Sequence, residues 1–561
     1  MKPLTMRQIS AIVGGKWVKA PADMDQPVLH YALYKGELRQ DIGPANLLFA
    51  MSLKHWQAGT KNTGIYATTF RDNHSMVLTL QPYIGMAIVE RPVTEAEVPQ
   101  LMVPNAYDAL EKLVVATAKD YTGKSIGVTG TVGKSTTRKF IADLLSHIGT
   151  TSTTPGNLNS RTSVKIQAMN HDCRQFNVLE IAATGLSYKE PGHGLGGVAS
   201  LLSLDLAVLT QVDAGQKGWS ASRTADIKTR MGVALKPGQP FLVNADIKNI
   251  AEVKTDVYRF TKNLVTYGLA ADSDYRGQVT DGQLTLFHGE NKLTTLSVSG
   301  LDTGTISDVI GALAAYDLLG GTMSSAIMAE FSQQCAHTTT RKVMHFEANE
   351  RHVTIIDDTH NAERLSVKNF IDYAQNYPVG ERTRKIFIAG RIINLRQHAY
   401  QVHKEVLESL NQAHFDHFYL YGPEIDQVIP VAQPGTFAGY YTTPNQILRA
   451  IAAEPHQDLV IFIKGSSRDS TIDSIAPRLA KRLAYTSSDH NHFAMSVVAE
   501  NEAAYVTIGV GRLLVVLEVL KRLANGKLRL TDQVPIVTDL AAERSVNKVD
   551  VRKGTSYWSM N

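Results

Sequence analysis

Three glycines, a lysine and a run of hydroxyls share one short stretch, "GVTGTVGKSTT" at residues 127–137. That composition suits a turn that cradles phosphates. Backbone N–H groups at a helix N-terminus converge on an anion, and the helix dipole adds to the attraction. Gly130 and Gly133 would let the backbone approach closely, Lys134 would reach the terminal phosphates, and the Ser135 hydroxyl would offer a ligand to Mg²⁺. The flanks supply the required context. Ser125 to Thr129 reads as a short buried strand, and Phe140, Ile141, Leu144, Leu145 and Ile148 recur at helical spacing. The expectation is strand, glycine turn, helix, with Val128 where the generic motif has its first glycine. The alternative is a flexible structural turn.

Other polar residues stand at the ends of apolar runs, where open α/β sheets bind their ligands. Glu180 follows "FNVL", Asp357 and Asp358 follow "VTII", and Lys464-Gly465-Ser466 follows "VIFI". Singly, each has an ordinary counterpart: a solvated strand end, a capping pair, a loop with a snorkelling lysine. Lys228 lies on "TADIKTRMGVAL", where an exposed lysine is the common outcome, and Arg341 reads equally well as a surface charge.

The elements that must position these residues alternate along the chain. Residues 1–122 form a mixed first region, with "LTMRQISAIVGG" as a glycine-closed helix and "MVLTL" and "GMAIVE" as strands. Residues 123–340 carry "SIGVTG", "FNVLEIA", "LAVLTQV" and "PFLVNAD", separated by helical patterns. Residues 341–486 repeat the alternation with "HVTIIDDTHNA", "RKIFIAGR", "HFYLYGPE" and "DLVIFIKGSS". Both regions imply mostly parallel sheets covered by helices, an α/β fold class. "TSSDHNH" is a polar break, and residues 487–561 follow a different pattern.

The whole chain sets bounds on function. At 561 residues it needs several domains. A net charge of +4 is too dilute to argue for nucleic acid or an anionic membrane. No run of some 20 apolar residues appears, so no membrane span is expected. The N-terminus lacks a long apolar core of the secretory kind, and there are only two cysteines, Cys173 and Cys335. A reducing, cytoplasmic setting is the expectation.

In this order the motifs resemble the Mur ligase family, ATP-dependent amide-bond formers of peptidoglycan precursor synthesis. Within it the pattern is most similar to the branch that adds D-alanyl-D-alanine to a UDP-muramoyl tripeptide. The family loop corresponds to Thr129, Gly130, Thr131, Val132, Gly133, Lys134 and Ser135, followed by Thr136, and the family lacks the first Walker glycine. "PGNLNS" at 155–160 resembles a Gly-Asn-x-Asn segment. The resemblance implies a Mg²⁺-binding role for Glu180, a carbamylated, metal-supporting lysine at Lys228, and a place near the nucleotide for Asn244 in "LVNAD". Arg341 followed by Asp357, Asp358, His360 and Asn361 resembles an arginine and the "DDxYNA" motif, with histidine for tyrosine. "AGRIINLRQHAYQVH" and "KGSSRDS" resemble two further segments of the C-terminal ligase domain.

The implied architecture has an N-terminal substrate-binding-like domain, a central phosphate-loop domain and a Rossmann-like ligase domain. The implied ligands are ATP and Mg²⁺, a small or nucleotide-linked peptide carboxylate, and an amine donor. The chain departs from the pattern at Gln211 and Gln216, where the family usually has asparagine and histidine. Gln216 would occupy a catalytic position without an imidazole's capacity to carry charge. The N-terminal region also lacks the Ser-Arg pair that helps hold the UDP-sugar. The implied reaction is therefore ATP-dependent ligation of an amine to a carboxylate that need not be muramoyl. A non-catalytic nucleotide-binding scaffold descended from such a ligase is the rival.

"GVGRLLVVLEVLKRLANGKLRLTDQV" at 509–534 resembles the nucleophile helix of class A β-lactamases and related serine hydrolases. Gly509 and Arg512 take the places of that family's serine and lysine, so no hydrolase activity is expected from a segment read as a degenerate or partial domain.

Overall fold

The computed structural model describes residues 3–61, 70–156, 158–188, 194–214, 219–337, 341–348, 351–359, 362–393, 395–455, 457–468 and 470–484, with 534–535 and 557–558. Three α/β sheets follow one another along the chain. The first has the order Lys16–Lys19, Gln100–Met102, Met86–Val89, Asn46–Phe49, His30–Ala32, all parallel except the pairing of its first two strands. "MVLTL" is not a strand here. Residues 75–80 form the helix Ser75–Leu80, whose Val77 and Leu80, one turn apart, are buried. The opening helix Met6–Val13 ends on Gly14 in the left-handed conformation, as its glycine predicts.

The central sheet has nine strands. Six of the seven that form its parallel part run Thr151–Thr153, Phe176–Glu180, Lys124–Thr129, Leu206–Leu209, Phe241–Asn244, Leu264–Gly268. Tyr275–Thr280 pairs parallel to the last of them and then folds back as an antiparallel meander through Gln283–His288 and Asn291–Ser297. The inner strands are covered on both faces, which is why "AVL" and "FLV" read as unbroken apolar runs. Helix Lys134–Leu145 buries Phe140, Ile141, Leu144 and Leu145 on one side, packing beside helix Thr303–Leu318. That second helix is apolar almost all round and lies inside the domain.

The third sheet has the order Lys342–Ala348, Arg351–Asp358, Asp458–Lys464, Thr383–Gly390, His417–Tyr421, Phe437–Tyr441. Only its first pair is antiparallel. Strands Arg351–Asp358 and Asp458–Lys464 are neighbours in register, so Asp358 and Lys464 come to the same sheet end side by side. Among the described residues, no helix is long and apolar enough to cross a membrane, and Cys173 and Cys335 are unpaired.

A second compact unit, residues 488–561, is described only at Val534–Pro535 and Tyr557–Trp558, which pair antiparallel. The helix expected at 509–534 lies otherwise outside the described residues.

Candidate functional site

Strand Lys124–Thr129 runs into the glycine turn, and helix Lys134–Leu145 starts directly on Gly133. Gly133 has φ 85°, and a Cβ there would collide with the carboxyl of Asp308. A Cβ on Gly130 would collide with the Thr210 hydroxyl. Both positions exclude side chains by close approach as well as conformation.

The turn is tied from outside. Thr131 N–H donates to the Gln211 carbonyl at 2.6 Å, Thr210 Oγ1 to the Val132 carbonyl at 2.5 Å, and Lys228 Nζ to the Gly130 carbonyl at 2.6 Å. Thr131 Oγ1 accepts from Asp213 N–H at 3.2 Å. Thr129 is fully buried and donates its hydroxyl to the Ile181 carbonyl at 2.7 Å, fastening the strand end to its neighbour. Lys134 Nζ curls over the turn to the Thr131 carbonyl at 3.0 Å. Ser135 is exposed and Thr136 half-buried in the first helical turn, which carries no acidic side chain. The positive end of the helix dipole is thus left for an external anion.

Glu180 ends the adjacent strand and lies opposite Val128 in the parallel register. Its buried Oε1 accepts from Asn159 Nδ2 at 2.6 Å, and Oε2 faces Arg138 Nε at 3.3 Å without a hydrogen bond. Arg138 sits four residues beyond Lys134 on the same helix. It is anchored on Thr153 Oγ1 at 3.1 Å and on the Thr154 carbonyl, and its burial lowers its pKa against the pull of Glu180. A buried carboxylate oxygen without a hydrogen bond, at the end of the strand next to the one that enters the turn, and the exposed hydroxyl of Ser135 in the first helical turn are donor types that suit a hard divalent cation. Sequence reading missed Arg138. Its spacing from Lys134 was the available signal.

Lys228 departs from the exposed position common for a helical lysine. It is wholly enclosed, and burial, then repulsion from Lys134, pushes its pKa well down. Glu180 and Glu363 pull the other way. Asn244 is buried too. Its Nδ2 donates to Ser307 Oγ at 2.9 Å and its Oδ1 accepts from Asp246 N–H at 2.8 Å, linking a strand end to helix Thr303–Leu318.

Arg341 is likewise no surface charge. Its guanidinium pairs with Asp302, the N-cap of helix Thr303–Leu318, and lies 4.2 Å from the Tyr373 ring centroid and 3.9 Å from Asp358. Against the effect of burial, Arg341 and Thr305 hold Asp302 below the usual carboxylate range. Lys464 Nζ donates to Asp358 Oδ2 at 2.9 Å, so the two strand-end residues form a buried pair. Asp357 Oδ1 accepts from the Thr359 amide at 3.1 Å and hydroxyl at 2.7 Å, and burial raises its pKa. Gln216, His360 and Asn361 lie outside the described residues.

The third sheet's first helix, Arg364–Asn376, packs on helix Thr303–Leu318. Arg364 Nε donates to Asp213 Oδ2 at 3.0 Å, its Nη2 to Asp213 Oδ1, and its Nη1 to Glu405 Oε2 at 2.8 Å. This fork joins the third-sheet domain to the residue whose amide holds Thr131, a link that neither Asp213 nor Arg364 discloses in sequence. Arg364→Ala is expected to weaken the docking by about 1.5–3 kcal/mol, the usual cost of losing hydrogen bonds to a charged group. Amide exchange should quicken selectively in 362–376; unchanged exchange there would show the fork to be dispensable.

Residues 128–323 match the family model described as the Mur ligase middle domain. That span holds the glycine turn at 129–135, Glu180, Lys228, Asn244 and helix Thr303–Leu318. This span is thus similar to the middle domain of Mur ligases. Similarity to Mur ligases extends beyond it. The UDP-N-acetylmuramoyl-tripeptide--D-alanyl-D-alanine ligase of Rickettsia prowazekii is 21% identical over 389 residues, covering 67% of this chain and 82% of its own length. The protein of the same name from Mycobacterium bovis is 24% identical, covering 72% and 80%. A crystal structure of MurF from Acinetobacter baumannii superposes with a TM-score of 0.67 at 18% identity, over 86% of this chain and 99% of that one. MurF ligase from Thermotoga maritima in complex with ADP gives 0.62 at 20%, over 81% and 98%. The three-sheet α/β architecture is thus that of the Mur ligases. The resemblance of residues 509–534 to serine hydrolases rests on sequence alone.

Proposed function

We propose that this protein is an ATP-dependent, ADP-forming amide ligase that joins an amino acid or dipeptide to the carboxylate of a cell-wall precursor or related peptide, in the cytoplasm. The observation that carries the reading is the phosphate loop built against Glu180 and Lys228 under a docked ligase-like domain. In the first step a substrate carboxylate oxygen attacks the γ-phosphorus, the bond to the bridging oxygen breaks, and ADP leaves. In the second an amine attacks the acyl carbon, phosphate leaves with its oxygen, and the amine loses a proton.

Phosphoryl transfer asks the protein for position and charge neutralisation more than covalent help. The helix N-terminus and Lys134 would hold the polyphosphate. Mg²⁺, when bound, supplies charge neutralisation on the transferring group, and Ser135 and Glu180 are the residues that would hold it. Burial lowers the Lys228 pKa and so favours the neutral amine, the form that reacts with CO₂, which supports a carbamylated, metal-supporting role. Asn244, Arg341, Asp357, Asp358 and Asn361 would border the nucleotide, Asn244 and Arg341 through their ties to helix Thr303–Leu318. A docked third domain would orient carboxylate and phosphate and exclude water, a contribution worth about 7–11 kcal/mol of barrier in well-oriented systems.

A carboxylate other than UDP-muramoyl tripeptide is the favoured substrate, because the N-terminal region lacks the Ser-Arg pair and Gln216 replaces a histidine. A phosphate-release screen over carboxylates and amines, with ATP and Mg²⁺, tests this. UDP-muramoyl tripeptide with D-alanyl-D-alanine is expected to be a poor pair; efficient condensation of the two would make the protein an ordinary cell-wall ligase.

A further inference from the structure

Beneath the phosphate loop stands a carboxyl group that the reaction above does not use. Asp308, on the inner helix Thr303–Leu318, is enclosed between that helix and the loop. Its Oδ1 accepts from Thr137 Oγ1 at 2.9 Å, and its carboxyl fills the space that a side chain on Gly133 would need. It therefore touches the loop on both sides of Lys134: at the glycine on which the helix starts, and one turn in. Its neighbour Ser307 accepts from Asn244, so one short stretch of helix fixes both the loop and the adjacent strand end.

We propose that Asp308 is a positioning residue for the nucleotide, locking the phosphate loop to helix Thr303–Leu318 through Gly133 and Thr137. The inference rests on the nucleotide-loop reading of residues 129–136.

The charge state of Asp308 follows from what surrounds it. Burial pushes its pKa well up, and Asp302 on the same helix pushes it further, although Arg341 compensates that charge from the third domain. From the loop side, the Thr137 bond and Lys134 act in the opposite direction. From the strand Leu264–Gly268 comes Tyr267, itself held neutral chiefly by burial. The balance favours the neutral acid. A neutral carboxyl leaves the helix N-terminus positive toward polyphosphate, whereas a carboxylate here would oppose it. Because the folded pKa is raised, the neutral form persists to higher pH than in an ordinary aspartate and is lost as pH rises through the folded pKa. Asparagine reproduces the neutral acid: its carbonyl can accept from Thr137 and its NH₂ stands where the acid carries O–H.

The test is the affinity of the full-length protein for a fluorescent ATP analogue with Mg²⁺, from neutral to moderately alkaline pH, alongside thermal unfolding. Asp308→Asn is expected to bind at least as tightly as wild type at every pH, and its advantage over wild type should grow as pH rises. Asp308→Ala, and Thr137→Val from the other side of the bond, should bind at least about tenfold more weakly at every pH. Asp308→Asn losing affinity with pH in parallel with wild type, or Asp308→Ala binding as wild type does, would overturn the proposal alone. Wild type that binds no nucleotide at any pH would overturn both it and the reading beneath it.

Discussion

Lys134→Ala is expected to lose ATP-dependent turnover by roughly 10²–10³-fold or more, the scale on which a preorganised charge-stabilising donor acts. Lys134 follows the glycine on which its helix starts and reaches back only to the carbonyl of Thr131 in the same turn. It carries no part of the core, so the variant should unfold with a Tm close to that of wild type. The charge it removes lies beside the positive end of the helix, where the γ-phosphate would be met by both. Loss of this cation also removes the repulsion that helps lower the Lys228 pKa, so the two lysines are coupled. Normal turnover in Lys134→Ala would return residues 127–137 to an ordinary structural turn.

Glu180→Gln should act on the metal rather than the adenine. An amide is a far poorer ligand than a carboxylate for a hard cation, and Glu180 brings a buried carboxylate at the end of the strand beside the one that enters the turn. The Mg²⁺ concentration for half-maximal activity should rise by at least the roughly 10–100-fold seen when residues that merely support a metal ligand are lost. Adenine-nucleotide affinity without metal should change little. The substitution also leaves Arg138 buried without its anion, which disfavours the charged guanidinium there. A modest fall in Tm is therefore expected, and the conservative Glu180→Asp separates that effect from metal binding. A metal titration unmoved by Glu180→Gln would make Glu180 only the partner of Arg138 and Asn159.

The loop was legible because glycine, lysine and hydroxyls were bracketed by a short apolar run and a 3.6-residue pattern, a combination with few other structural solutions. "MVLTL" was misread because five residues cannot separate a period of 2 from one of 3.6, and Val77 and Leu80 fit both. The burial of Lys228 and the pairing of Arg341 with Asp302 could not be read from the sequence pattern. Helix Ala221–Thr229 exposes Ser222 and Arg223, but its buried residues include Thr224 and Thr229 as well as Ala225 and Ile227, so no purely apolar face marks Lys228 as buried. Asp308 left no signal at all: its partner Thr137 is 171 positions away, and only the folded sheet brings the two together. The same holds for Arg364 and Asp213, which meet across two domains.

The measurement that bears most directly on the central claim follows an oxygen atom. A carboxylate found active in the screen is labelled with heavy oxygen in its carboxyl group and incubated with ATP, Mg²⁺ and the amine, and the released phosphate is analysed by mass spectrometry. Ligation through an acyl phosphate predicts one heavy oxygen carried into phosphate for each amide formed, and no phosphate release when either carboxylate or amine is omitted. Phosphate released without label, or at the same rate with neither co-substrate present, would contradict the account.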